Sequence, residues 1–173
     1  MKNIITIIIS FNCFTLSFGQ SQNIKLMVDS LRYLEADTLD CRANLYWRII
    51  SKGEKAIPFL IDKLSDTTQS NVSFACKSAR LNVGEISYFA LNQIGYFPAF
   101  TITHIQFDYT DDNGCWIFYE YLFNNENKTK YQTLVKEWFA RNQSKFHRQK
   151  IRKKKQSPCQ KHYGINTYLK WRE

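Results

Sequence analysis

The spacing of hydrophobic residues in residues 53–95 predicts two amphipathic helices that fold back on each other. In residues 53–66, and again in residues 83–95, apolar side chains recur mostly every three or four positions, which places them on one helical face. Pro58 lies where the first turn of a helix tolerates proline, and Gly95 stands where a helix would end. The apolar positions are Ile57, Phe59, Leu60, Ile61 and Leu64 in the first helix and Val83, Ile86, Phe89, Ala90, Leu91 and Ile94 in the second. We expect the two helices to lie antiparallel, because each then buries its apolar face against the other.

The same kind of pattern predicts further helices around this pair. Residues 23–35, 39–51 and 128–142 each carry an apolar stripe at helical spacing. Residues 116–123 fit a shorter helix. The Ser-, Thr- and Asn-rich residues 67–82 predict an exposed insertion between the paired helices.

The segment after the second helix of the pair has a different pattern. Ile105, Phe107 and Tyr109 alternate with polar residues, which predicts a short strand or an extended segment. Pro98 excludes a central strand at its own position. Residues 111–114, Asp-Asp-Asn-Gly, are a strong turn signal. We therefore predict an irregular, aromatic-rich insertion here.

The paired helices also carry a recognisable motif. Residues 53–66 read Gly-Glu-Lys-Ala-Ile-Pro-Phe-Leu-Ile-Asp-Lys-Leu-Ser-Asp, and residues 83–95 read Val-Gly-Glu-Ile-Ser-Tyr-Phe-Ala-Leu-Asn-Gln-Ile-Gly. This pair resembles a HEAT or HEAT-like (PBS-lyase-type) helical repeat, with Ile86 or Ser87 near a position that is usually alanine. The matching residues include Pro58, Asp66, Ala90 and Leu91. The resemblance implies a fold of α-solenoid type that serves as a scaffold for binding and supplies no chemistry.

The N-terminus predicts export from the cytoplasm. Lys2 is followed by an uncharged, mainly apolar run, residues 4–18, which is short for a membrane-spanning helix of about 20 residues. Ser17 and Gly19 are small residues at the positions that signal peptidase must accommodate. We predict a signal peptide at residues 1–19, with an uncleaved anchor as the alternative. The protein is then periplasmic or secreted.

Cleavage at this point leaves one domain of ordinary size. We divide the mature chain into a HEAT-like helical domain at residues 20–142 and a basic C-terminal tail at residues 143–173. The predicted fold class is mainly α, with antiparallel helical hairpins of HEAT-like type, the irregular aromatic-rich insertion and this tail.

Four cysteines remain after cleavage, and an oxidising compartment permits up to two disulfides among them. Three pairings are possible, and the sequence does not choose among them. Cys76 and Cys115 lie in loop-like segments and are the favoured residues for a disulfide. Cys41 is expected on a helix as a small buried residue, and the fourth cysteine is Cys159.

Positive charge is concentrated at the C-terminus. Residues 20–140 contain 12 Lys or Arg and 14 Asp or Glu, whereas residues 141–173 contain 11 basic residues and a single acidic one, Glu173. Such a run is usually a solvated, partly helical tail without a specific partner, and the functional alternatives are contact with nucleic acid, with anionic lipid headgroups or with an acidic protein. No nucleic-acid-binding signature accompanies it, so nucleic acid is not the expected partner. The candidate anion contacts are Arg148, Lys150, Arg152, Lys153, Lys154 and Lys155.

The sequence offers little catalytic chemistry. Residues 109–120 fit a calcium-loop template in part, but Tyr109 stands where the first carboxylate ligand belongs. Cys159 and His162 supply two potential zinc ligands, and a structural zinc site normally has four. His104 is expected to be structural, and the sequence contains no nucleophile elbow and no Gly-rich phosphate loop. We therefore predict no catalytic residue, no cofactor and no metal.

The predicted function follows from the helical pair and the export signal. We predict an exported, non-catalytic scaffold that mediates protein–protein contacts in the cell envelope, with an envelope protein as its partner and, through the tail, an anionic membrane surface. The alternative is a small envelope enzyme, or a protein that binds an anion, lipid or nucleic acid, through the tail. The candidate partner contacts beside the insertion are Lys77, Arg80 and Tyr88.

Overall fold

The computed structural model describes residues 19–107 and 109–172, and these residues are mainly helical. The predicted signal peptide lies outside the described residues apart from Gly19. The helices are α1 (19–29), α2 (Asn44–Ile50), α3 (Ile57–Ile61), α4 (Val83–Ile94), α5 (Ala99–Thr103), α6 (Phe118–Phe123), α7 (Asn125–Asn142) and α8 (Pro158–His162). The strands are β1 (Phe146–Lys150) and β2 (Thr167–Trp171), and short 3-10 helices lie at Ser30–Tyr33, Gly53–Ala56, Gln143–Lys145 and Lys153–Lys155. None of the helices described is both long and apolar enough to span a membrane.

The two segments of the predicted helical pair pack against each other in opposite directions. At one end, the backbone N–H of Gly84 donates to the carbonyl of Asp66 across 2.8 Å. At the other end, Gly53 and Gln93 line the same cavity. The first segment is less regular than predicted, because a 3-10 turn precedes the short α3. The fully buried residues of the pair include Ile57, Leu60, Leu64 and Ile86.

Gly84 allows the two segments to approach closely. A Cβ atom built on this glycine would lie 2.4 Å from the carbonyl oxygen of Leu64, a distance that real Cβ atoms essentially never show. The glycine therefore lets the first turn of α4 meet the backbone that follows α3, where the Gly84 amide finds its hydrogen-bond acceptor. Any larger residue here must move the two segments apart.

Residues 67–82 are only partly the exposed insertion that the sequence predicts. Val72 and Leu81 are buried, and the amide of Leu81 donates to the carbonyl of Val72 across 2.8 Å. Cys76, in the same segment, forms a disulfide with Cys115. These are the two cysteines that the sequence favours for a disulfide. The connection between the helices is therefore packed onto the core and bonded to the aromatic region.

The predicted strand of the aromatic region is not present among the described residues. α5 lies just before it and is terminated by His104, which adopts a left-handed φ of 58°, and the described residues 105–107 and 109 have no regular secondary structure. The ring centroid of Phe107 lies 4.9 Å from that of Phe118, and Nε1 of Trp116 donates to the Phe107 carbonyl across 2.6 Å. Aromatic ring contacts and this hydrogen bond, and not pairing with a neighbouring strand, therefore keep the segment after α5 in place. The predicted turn at residues 111–114 is confirmed.

Other predicted helices are present with shifted boundaries. The first breaks into α1 and a 3-10 turn, and α2 begins only at Asn44. Cys41 consequently lies in a turn before α2, and its predicted helical position is wrong. α7 begins at Asn125, earlier than predicted, because the side chain of Asn124 accepts the Glu126 amide and caps the helix.

Residues 146–171 form a folded unit, which we call the C-terminal module, where the sequence predicts a tail. β1 and β2 pair antiparallel with Phe146 opposite Trp171, and α8 lies in their connection. Phe146 of β1 and Leu169 and Trp171 of β2 are apolar and face the rest of the protein, and the high charge of this region obscures them in the sequence. A solvated tail is therefore not what the structure shows.

The C-terminal module is attached to the helices at several points. The amide of Tyr96 donates to the carbonyl of buried Leu169 across 3.0 Å. The indole of Trp138 on α7 lies 5.4 Å from that of Trp171, measured between ring centroids. A disulfide joins Cys159, on α8, to Cys41. Because these contacts include buried apolar residues and a covalent bond, the module is a fixed part of the fold.

Candidate functional site

The three predicted partner contacts do not form one exposed surface. Tyr88 is 5% exposed, and burial raises the pKa of its hydroxyl well above the usual value. The ammonium group of Lys77 is directed at the buried Glu85. Arg80 is exposed and donates to the hydroxyl of Ser73. The prediction of Tyr88 as a surface contact is therefore wrong, and of the three residues Arg80 is the exposed one.

A buried ion cluster centres on Glu85 in the first turn of α4. Its side chain is 0% exposed and accepts from Nζ of Lys128 at 2.7 Å on one oxygen and from Nζ of Lys77 at 2.7 Å on the other. The backbone N–H of Asn82 donates to the same carboxylate at 2.9 Å, and Oδ1 of Asn82 accepts the Glu85 amide at 3.0 Å. The cluster is thus built on a capping box that starts α4.

The cluster joins α4, α7 and residues 67–82. Lys128 projects from α7 with only 1% of its side chain exposed, and burial lowers its pKa while the hydrogen bond to Glu85 opposes that shift. Charges this deeply buried are stable only when they are paired, so each partner depends on the others. Glu85 and Lys128 are shielded from solvent and 15% of the Lys77 side chain is exposed, so the cluster is mainly a buried contact between these three segments.

Only part of this ion cluster can be predicted from the sequence. The spacing of Asn82 and Glu85 just before an apolar run is that of a capping box, and it marks the true start of α4. Lys128 had no comparable signal, because a lysine at the start of an amphipathic helix is normally solvated. Its burial depends on where α7 packs.

Three of the six predicted anion contacts converge on one groove of the C-terminal module. Lys150 ends β1, and Arg152 and Lys155 follow in the connection to α8. Together they line a groove of about 470 Å³. The remaining lining residues are uncharged: Gln149, Ile151, Gln160 and Tyr168. We call this the basic groove.

The other three predicted anion contacts point elsewhere. Arg148 lies over the helices, where its guanidinium group is 3.4 Å from a carboxylate oxygen of Glu54. Lys153 lines a separate groove of about 310 Å³ together with Lys161. Lys154 is exposed and lines neither groove. The structure therefore divides a continuous run of basic residues into a convergent set and a dispersed one.

A second exposed feature lies in the aromatic region. Four large apolar side chains there are exposed to solvent, and we call them the exposed apolar set. Its members are Tyr96 (51%), Phe100 (60%), Ile105 (38%) and Tyr109 (66%). They account for most of the large exposed hydrophobic side chains in the described part of the chain. The sequence predicts an aromatic-rich insertion here but does not indicate which of its residues face solvent.

Residues of the possible zinc and calcium sites are engaged in other interactions in the structure. Cys159 is bonded to Cys41, so its sulfur is not available as a zinc ligand beside His162. Oδ1 of Asp111, in the calcium-loop template, accepts the backbone N–H of Asn113 at 2.9 Å and so forms the turn. Within residues 19–107 and 109–172, no three His, Cys, Asp or Glu side chains are grouped as metal ligands would be.

Comparisons of the chain with protein-family models, with curated proteins and with solved structures find no match. Function is therefore inferred from the geometry of this chain. That geometry supplies two accessible surfaces, the exposed apolar set and the basic groove, and one closed ion cluster.

Proposed function

We propose that this protein is an exported, non-catalytic helical scaffold that binds another protein of the cell envelope through the exposed apolar set. The observation that carries the proposal is the solvent exposure of Tyr96, Phe100, Ile105 and Tyr109 within one short stretch of chain. Aromatic residues, tyrosine in particular, are enriched in the cores of protein interfaces and in the residues that dominate binding energy.

The backbone that carries these side chains is held in place before any partner binds. The hydroxyl of Thr103 accepts the amide of Ile105 at 3.2 Å, and the amide of Ile117 donates to the carbonyl of Tyr109 at 3.2 Å. The Cys76–Cys115 disulfide fixes the following turn to the connection between the paired helices. A preorganised segment loses less conformational entropy on binding, which favours its use as a contact surface.

Two further features support this class of function. The helical pair at residues 53–95, as a proposed HEAT-like unit of α-solenoid type, belongs to a kind of repeat that presents surfaces to partners. Both disulfides suit an oxidising compartment, which is consistent with the proposed signal peptide at residues 1–19. We therefore place the scaffold in the periplasm or outside the cell.

Site-specific photo-crosslinking in the producing cell tests this function. A photoreactive phenylalanine analogue replaces Phe100 in one strain and Tyr109 in another, and both strains are irradiated before extraction. A third strain carries the analogue at Tyr33, which is 67% exposed and lies near the end of the first helical segment. We expect one discrete cross-linked species from positions 100 and 109 and none from position 33.

Affinity measurements then connect the cross-link to the side chains. With the isolated partner, Phe100→Ala and Tyr109→Ala should each weaken binding by about tenfold or more, the loss expected for an anchoring aromatic residue, whereas Tyr33→Ala should not. Absence of a cross-link at both positions would refute the proposed surface. An equal cross-link at Tyr33 would show that exposure alone produces it and would also count against the proposal.

A further inference from the structure

We propose that the basic groove is a binding site for a phosphoryl group, carried either by a lipid headgroup or by a soluble phosphate ester. The groove is formed by the C-terminal module and not by the exposed apolar set. The inference therefore stands or fails separately from the proposed function.

Among the described residues, the cations of the groove have no carboxylate partner. In the described part of the chain, Lys150, Arg152 and Lys155 form no salt bridge, and no carboxylate lines the groove. By contrast, Arg148, only two residues from Lys150, is paired with Glu54. Three convergent cations repel one another, and an anion bound between them would replace that repulsion by attraction.

The backbone of the groove is ordered without a ligand. The amide of Ile151 donates to the carbonyl of Asn166 at 2.8 Å and continues the strand pairing beyond β1. The amide of Lys155 donates to the carbonyl of Arg152 at 2.7 Å, which closes the turn that carries both cations. The Cys41–Cys159 disulfide and the capping box of α8 fix the opposite wall. Fixed cations bind a given anion more tightly than the same cations on a solvated tail.

Uncharged hydrogen-bonding groups complete the lining. Gln149 and Gln160 contribute amide groups, and Tyr168 contributes a hydroxyl. A tyrosine hydroxyl carries its proton at neutral pH and is therefore a hydrogen-bond donor to an anion in the groove. Donors of this kind orient an anion that the cations attract.

A phosphoryl group fits this lining better than a carboxylate does. A phosphate monoester carries nearly two negative charges at neutral pH and three acceptor oxygens, which matches three cations and several donors. The planar guanidinium group of Arg152 is suited to binding two phosphate oxygens at once, and lysine ammonium groups add point charges. The volume of about 470 Å³ leaves room for the small group to which the phosphate is attached.

The test compares two triple variants with the same loss of charge. The first, Lys150→Gln, Arg152→Gln and Lys155→Gln, removes the cations of the groove. The second, Lys145→Gln, Lys170→Gln and Arg172→Gln, removes two lysines and one arginine at the other end of the strand pair, none of which lines the groove. All six residues are exposed, so both variants should fold, and circular dichroism of the oxidised proteins checks this.

Two probes distinguish the possible sources of the phosphoryl group. Calorimetric titration with glycerol 3-phosphate measures binding of a soluble ester, and co-sedimentation with phosphatidylcholine vesicles that contain phosphatidic acid, whose phosphate is also a monoester, measures binding of a headgroup. We expect the unaltered protein to bind at least one probe, less tightly at high salt, and not to bind pure phosphatidylcholine vesicles. The groove variant should bind at least about tenfold more weakly, whereas the control variant should stay within about twofold.

Each outcome decides the question. Binding of vesicles alone assigns the site to a lipid headgroup, and binding of glycerol 3-phosphate assigns it to a soluble ester. An equal loss of binding in the two triple variants would overturn the proposal, because total charge and not the groove would then be responsible. Failure of the unaltered protein to bind either probe would overturn it as well.

Discussion

Replacing Cys41 and Cys159 together by alanine should lower the free energy of unfolding by about 4.5 kcal/mol. This disulfide joins residues that are 118 positions apart. The second disulfide is nested inside it and links residues 39 positions apart, so it shortens the loop that the outer bond closes in the unfolded chain to roughly 80 residues. The loop-closure entropy of a loop of roughly 80 residues corresponds to about 4.5 kcal/mol at room temperature.

Urea denaturation of the oxidised proteins measures this effect. The folded C-terminal module should persist in the variant, because its strand pairing and its contact with Trp138 do not involve the cysteines. We therefore expect an intact near-ultraviolet spectrum, a lower midpoint and a steeper dependence on urea, since the unfolded chain becomes less constrained. The matched variant lacking Cys76 and Cys115 opens the shorter loop and should lose about 4 kcal/mol.

Two results would refute this reasoning. A loss of stability below about 1 kcal/mol for the outer pair would mean that chain constraint does not govern its contribution. Mass spectrometry of a non-reduced digest that showed Cys41 bonded to Cys76 or Cys115 would contradict the nested arrangement itself.

Three further predictions concern buried positions. Gly84→Ala should destabilise the protein by about 1–3 kcal/mol in chemical denaturation, because the new Cβ would lie 2.4 Å from a backbone carbonyl oxygen. Lys128→Met should cost about 3 kcal/mol, because it removes one partner of the buried Glu85 carboxylate. Stability should fall as pH rises above about 10, because burial raises the pKa of Tyr46 and Tyr131. In that range the unfolded state releases phenolic protons that the folded state retains, and each such tyrosine contributes a loss of about 1.4 kcal/mol per pH unit.

Each of these predictions has a control in the same chain. Ser87→Ala, also in α4, removes a buried hydroxyl without a partner and should not destabilise the protein, so an equal loss at Ser87 and Gly84 would contradict the steric explanation. Lys130→Met changes an exposed lysine of α7 and should shift stability by less than about 0.5 kcal/mol. Tyr46→Phe should reduce the slope of stability against pH above pH 10, and an unchanged slope would exclude this tyrosine as a cause.

The helices that the sequence predicts correctly are those with a continuous apolar stripe. α4 and α7 follow from periodic spacing alone, because one buried face at helical period is sufficient to specify a helix. α5 was missed because its five residues are too few to show a helical period, and the alternation of Ile105, Phe107 and Tyr109 after it wrongly predicted a strand. The rings at alternate positions pack on an aromatic cluster or face solvent, which local spacing does not distinguish.

In the C-terminal module, the high charge of the sequence hides the few apolar residues that dock it on the helices. Eleven basic residues in residues 141–173 predict a solvated tail, yet Ile165 and Leu169 are buried and Phe146 packs on Trp138. A few apolar residues at strand spacing are enough to dock a charged segment when the helices offer a matching surface. That surface is built by residues distant in sequence, so no local pattern reveals it.

By itself, the sequence determined the helical character of this protein, the antiparallel pair at residues 53–95 and the concentration of cations near the C-terminus. The tertiary structure decided which cysteines are bonded, that Glu85 and Lys128 meet in the core, and which three cations converge on the basic groove. The reason is physical: helix periodicity is local, whereas disulfides, buried ion pairs and grooves join residues that only the packing of distant segments brings together.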